Sequence, residues 1–358
     1  MMAIKSSYRW IVVFLFLTLG LCACEHRVLE DIEYSHYVRV YIDDQIQNVT
    51  YGLYNDKYYR PRLEIPNTMQ VLLCNPTTGN VEVERYLQNC GEDERGMYID
   101  GYVSAPPGNY HMLIYNFNSE YTRFRNDRNF QQIEAYTNPI STRFHLMDDV
   151  NANQVCYAPD HLYTVVDVDT KISLNNKVDT LLNAQGDFFT ASSLVKSYYL
   201  QIRIRGVQWI KVVNSTISGM SPSVRLSDGK TENSKSSLLS LDIRCAIEES
   251  KILDEASVSE EGQEAVLYTT FNTFGIIPHT ETDHLLTLEF IKTDGKLQIE
   301  TIDISSLLNT RETLEHRWLL LDHEIVITPS EDVAPDKHTG GFEPSVDDWK
   351  DVIIDIII

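Results

Sequence analysis

The chain has 358 residues, enough for about two domains at roughly 150 residues each, with a sizeable core in both. Hydrophobic residues make up 43%, with only 16 Gly and 12 Pro, which excludes collagen-like, mucin-like and low-complexity classes. Lys and Arg number 30 against 52 Asp and Glu, a net charge of -22 with no basic run, so nucleic acid is set aside as a partner.

Lys5 and Arg9 precede an apolar run from Trp10 to Leu21. Its 12 residues are too few for a bilayer core that needs about 20, so the run reads as a secretory h-region. It ends in Leu21-Cys22-Ala23-Cys24, a lipobox with a branched residue at -3 and a small one at -1. Residues 1–23 are the expected signal peptide, and Cys24 the lipidated N-terminus. Cleavage there leaves 28 basic and 52 acidic residues, a net charge of -24. A diacylglycerol with an added acyl chain is a stable anchor, so a tethered, solvent-facing protein is expected.

Period-two alternation follows. Val81, Val83 and Arg85 alternate with Glu82 and Glu84, then Leu200, Ile202 and Ile204 with Gln201 and Arg203, then Leu286, Leu288 and Phe290 with Thr287 and Glu289. Asn75 to Asn80 predicts one hairpin turn and Asp294-Gly295 a two-residue one. Helical periodicity is confined to Thr310 to Glu315 and Ile247 to Ala256. Strands cluster from Tyr37 to Tyr136 and from Tyr198 to Ile327, which predicts an all-β chain of sandwiches. After the polar stretch from Asp148 to Gln154, Pro159 and Asp160 place the boundary near 160, giving domains 24–160 and 161–358. Acidic residues from Glu248 to Glu264 read as a solvated loop. The chain closes on Val352, Ile353, Ile354, Ile356, Ile357 and Ile358, broken only by Asp355. A β-branched tail of this kind must pair with a sheet, its own or another chain's.

Sites of chemistry are scarce. The chain has no G-x-S-x-G, H-E-x-x-H, Walker or G-x-G-x-x-G motif, so no catalytic or cofactor-binding residue is assigned. His279 to His284 places two imidazoles and two carboxylates within six residues, but a polar connection between strands explains it better than a metal site. His316 and His323 flank Trp318 to Leu321 on an expected strand and, seven apart, would face opposite sides of it, so no joint site is expected. The 20 tyrosines, Tyr58-Tyr59 and Tyr198-Tyr199 among them, suit sheet packing before sugar stacking. Cys74, Cys90, Cys156 and Cys245 allow three disulfide connectivities or none; Cys74 and Cys90 are not cross-strand neighbours.

Cys24-Glu25-His26-Arg27, with Tyr34 to Val40 after it, resembles a family of Bacteroidetes lipoproteins related to the fimbrillin-associated anchor proteins of fimbriae. Pro107-Gly108-Asn109-Tyr110, Asn214 to Met220, Thr270 to Gly275, and Gly341-Phe342 followed by Val346 to Trp349 agree with it. The resemblance implies two tandem transthyretin-like β-sandwiches on an outer-membrane lipid anchor, without catalysis or cofactor. It implies fimbrial subunits as partners, met by strand exchange, for which 352–358 is the candidate segment. A glycan-binding lipoprotein is the alternative reading, and a secreted hydrolase the third.

Overall fold

Apolar residues that recur at every second position form strands here, and the computed structural model, which describes residues 35–43, 65–117, 119–140, 155–173, 179–246, 262–278 and 283–328, is all-β apart from a few short helical turns. Strands are numbered in chain order. The first body uses β1 (Ser35–Ile42), β2 (Met69–Cys74), β3 (Val81–Leu87), β4 (Asn89–Asp93), β5 (Gly96–Ser104), β6 (Gly108–Asn116), β10 (Tyr163–Ile172), β11 (Asp179–Thr180) and β12 (Phe189–Ser193). They form one curled sheet in the order β3-β2-β6-β10-β12-β1-β5-β4, with β11 beside β1. Its inner face buries Val38, Val40, Val71, Leu73, Ile99, Met112, Ile114, Tyr163 and Phe189.

Two corners let this sheet fold over its own core. β12 pairs with β10 through Ser192 and Ser193 and with β1 through Phe189 to Ala191, passing from one layer to the other. At the opposite corner β3 and β4 are separated by Gln88 alone. There Gly101 of β5 lies so close to β3 that a Cβ would stand 3.4 Å from the Leu87 Cα. The β2–β3 hairpin forms as the sequence predicts: the Asn75 side chain accepts from the amides of Thr77 (2.9 Å) and Thr78 (3.0 Å), and Gly79 takes φ +75°.

The second body packs two sheets around a core that includes Leu200, Ile202, Ile204, Leu267, Leu286, Leu288, Phe290, Leu319 and Ile325. One sheet has the order β17-β18-β13-β21, from β17 (Arg244–Ala246), β18 (Glu264–Thr273), β13 (Lys196–Arg205) and β21 (Trp318–Val326). The other runs β20-β19-β14-β16-β9, from β20 (Leu297–Asp303), β19 (Leu285–Lys292), β14 (Ile210–Met220), β16 (Ser237–Leu241) and β9 (Val155–Tyr157). The β19–β20 turn is one residue longer than expected. Thr293 to Gly295 project between Lys292 and Lys296, whose amide and carbonyl close the loop at 2.9 Å, and Gly295 sits at φ +80°. Short helix α1 (Arg311–His316) occupies the expected position, its Thr313 amide donating to the Thr310 hydroxyl at 3.3 Å.

A small sheet joins the two bodies. β7 (Thr122–Arg125) and β8 (Glu134–Thr137) come from the first stretch of chain, and β15 (Ser223–Arg225) from the second. Beneath it lies a third core of Leu72, Leu113, Tyr115, Ile133, Ala135, Val224, Leu226 and Phe274. β2 is therefore buried on both faces: Val71 and Leu73 enter the first core, Leu72 and Cys74 the third. This corrects the boundary expected at residue 160. Strands β10 to β12 lie beyond it yet complete the first sheet, while β9 lies before it and pairs with β16. The polar stretch before Pro159 looks like a linker, but the first sandwich needs the later strands to close its layer.

Candidate assembly surface

β20 reads Leu297-Gln298-Ile299-Glu300-Thr301-Ile302-Asp303 and buries neither face fully, with Leu297 and Ile299 38% and 37% exposed. Its position explains this, because β20 ends its sheet and pairs only with β19 among the described strands. β21 likewise ends its sheet, paired among the described strands only with β13. Leu319, Leu321, Ile325 and Ile327 turn into the core, whereas Val326 is 46% exposed. The two terminal strands lie on the same side of the core: Gln298 Nε2 donates to the Val326 carbonyl (3.0 Å), and Lys292 Nζ to that of Thr328 (3.2 Å). The result is a seam with Leu297, Ile299 and Val326 along it, where each of the two strands has a ladder partner on one side only among the described residues, the chemistry that adding a strand requires.

The first body's sheet ends differently. Its terminal strand β4, at the opposite end of the order from β3, is five residues long, carries Glu92 and Asp93, and has no buried residue. Short, charged edges discourage strand addition. The outer face beside β4 is a ladder that the sequence reading missed: Tyr37, Arg39 and Tyr41 of β1 stand opposite Tyr102, Asp100 and Tyr98 of β5. Arg39 donates to Asp93 (3.1 Å), Asp100 (3.3 Å) and the Tyr37 hydroxyl (2.9 Å), and lies 3.8 Å from the Tyr98 ring centre. The hydroxyls of Tyr37 and Tyr41 donate to Asp100 (2.5 Å) and Asp93 (2.7 Å). Burial, then the Asp100 contact, pushes the Tyr37 phenol up to about 12. Only Tyr102, 57% exposed, turns its ring outward.

The residues singled out from the sequence do not converge. Cys24, Val352 to Ile358, Trp349, Tyr58 and Tyr59, and the helical candidate from Ile247 to Ala256 lie outside the described residues, as does most of the 248–264 segment. Of the segment from His279 to His284, only Asp283 and His284 are described. His284 is buried, with Nε2 2.8 Å from the Ile277 carbonyl, so that nitrogen is engaged in the core. The structure forms no disulfide among Cys74, Cys90, Cys156 and Cys245. Burial pushes the thiols of Cys74 and Cys245 up to about 12 and also raises Cys156, which keeps all three protonated and poorly nucleophilic at neutral pH. Tyr198 packs in the core as expected, stacked on Phe271 at 5.6 Å.

Residues 23–240 match the family model described as a domain of unknown function, DUF5119. The chain belongs to this family. A curated relative from Bacteroides ovatus, provisionally named fimbrium anchoring subunit Fim4B, is 24% identical over 298 residues, covering 80% of this chain and 83% of its own. A crystal structure of a Bacteroides ovatus protein provisionally described as an adhesin aligns with a TM-score of 0.52 at 19% identity, covering 82% of this chain and 93% of that one. That alignment shows a shared fold for this DUF5119 chain. The fimbrial anchor protein Mfa2 of Porphyromonas gingivalis aligns at 9% identity and a TM-score of 0.44, covering 82% of this chain and 90% of that one.

Proposed function

We propose that the chain is an outer-membrane lipoprotein that anchors or assists a fimbrium, with the lipid on Cys24 and fimbrial subunits as its partners. The observation that carries this reading is the pair of terminal strands β20 and β21 on one side of the second body, with Leu297, Ile299 and Val326 exposed along them. The name of the Fim4B relative supports it. A strand from a neighbouring subunit, or the Val352 to Ile358 tail, would complete the hydrogen bonding of such a seam. The role is structural and not enzymatic.

Labelled fatty acid and membrane fractionation test the anchor. Cys24→Ala is expected to abolish labelling and release the protein; label entering that variant overturns the assignment. Truncation after Lys350 tests the tail: unfolding of the second body places the strand within its own sheet, and normal melting with lost fimbrial incorporation makes it a donated strand. Normal melting with normal incorporation defeats both. Cross-linking from a photoreactive residue at Ile299 to a fimbrial subunit is the expected sign of assembly, and its failure in fimbriated cells counts against the seam.

A further inference from the structure

The chain crosses each body between opposite ends of a parallel strand pair. Among the described residues, the first strand of the first body is β1, starting at Ser35, and the last is β12, ending at Ser193. β1 and β12 are parallel neighbours, with Val40 opposite Phe189 and Ile42 opposite Ala191. Apart from the earlier strand β9, the second body runs from β13, starting at Lys196, to β21, ending at Val326, the last described strand. These two strands are also parallel, from Tyr199 opposite Trp318 to Arg205 opposite Val326. Ser35 and Thr328 therefore sit at the ends of their bodies remote from the junction at 193–196.

Tension between those two points slides parallel strands along one another. Rungs loaded by sliding share the force and must fail together, whereas rungs loaded by peeling fail one at a time, so the same hydrogen bonds resist sliding far better. We propose that this fold bears tension along the chain between Ser35 and Thr328, with β1 and β21 as the two clamps.

Each clamp is fastened by side chains as well as by its ladder. β1 is held on its other side by β5, antiparallel from Ser35 opposite Ser104 to Tyr41 opposite Tyr98, and Arg39 reaches across β5 to Asp93 of β4. β21 is tied to β13 by Arg205 on Glu324 (3.0 Å) and by the Ile327 amide donating to the Arg205 carbonyl (2.8 Å). Its far end is pinned to the opposite sheet by Gln298 and Lys292. The inference rests on the anchoring reading for its biological use, while the force response rests on strand order and on these side-chain ties.

Single-molecule pulling on the full chain tests it, with handles at positions 35 and 328 in one variant and at 203 and 328 in another. Arg203 is exposed and lies opposite Glu324, so the second pair peels β21 from β13 at one end. Positions 35 and 179, at the same end of the β1–β11 pair, provide a second peeling geometry if the 203 variant melts abnormally. The first unfolding force between 35 and 328 is expected to be at least about twice the peeling force, because forced unfolding reads the barrier along the pulled direction. Equal or lower force overturns the proposal and leaves the anchor untouched; loss of lipid labelling alone would overturn the anchor and leave the clamp.

Discussion

The hydroxyl of Ser223 donates to the carboxylate of Glu134, 89 residues earlier, and so fastens β15 to β8 where the two bodies meet. Arg125 of β7 completes the arrangement, its Nε 2.7 Å from the same carboxylate. Burial works against the charge on Glu134, but these two contacts outweigh it and hold the carboxyl below its ordinary value of 4.5. A lowered folded value gives stability that is complete above the ordinary range and is lost as pH falls through the folded one. Melting temperature should therefore drop on acidification below 4.5, and Glu134→Gln should flatten that part of the profile. An unchanged slope in the variant would remove Glu134 from the acid response.

Phe274 belongs to the third core and is buried there beneath the small sheet. Phe274→Ala should cost about 3 to 5 kcal/mol, the usual range for an emptied aromatic site. Because that core holds side chains from both bodies, calorimetry should show one transition in the parent and two in the variant. A melting temperature within a degree of the parent would show the third core to be dispensable.

Gly206 sits at φ +90° between β13 and β14, and a Cβ there would stand 2.2 Å from the Ile327 carbonyl. Gly206→Ala combines a disfavoured backbone with a clash against the end of β21. The expected loss is about 2 kcal/mol or more in denaturant titration. A neutral substitution would mean that the chain after β21 can move away without penalty.

Chelators should leave the melting temperature unchanged, because His284 binds the Ile277 carbonyl in the core. His284→Ala should destabilise the protein by about 1 to 3 kcal/mol with or without EDTA. A shift of several degrees in EDTA that disappears in His284→Ala would restore a metal at this end of β19.

The parts of the fold legible in the sequence are those set by neighbours along the chain. The turn at Asn75 to Asn80, the inward stripe of Leu286, Leu288 and Phe290, and the helix after Thr310 each follow from local spacing and side-chain chemistry. Sheet membership does not. Nothing near Tyr163 signals that β10 returns to β6, because parallel and crossing connections are decided by which layer remains to be covered. The third core left a clue in Val71 to Cys74, a continuous apolar run that fits a strand covered on both sides better than one facing water. The Tyr37-x-Arg39-x-Tyr41 face could have been found by its own period of two, since each of its members is polar or aromatic and all point one way. The open seam could not, because only sheet order reveals that β20 and β21 are both last in line.

The apolar double border lies on one side of the second body, while the β4 border of the first is short and acidic. In the proposed role, a single copy would seat a single filament, and growth from it would have one direction. Copies spread over a membrane would start separate fibres instead of knitting into a mat, so the number of filaments per cell would follow the number of these molecules.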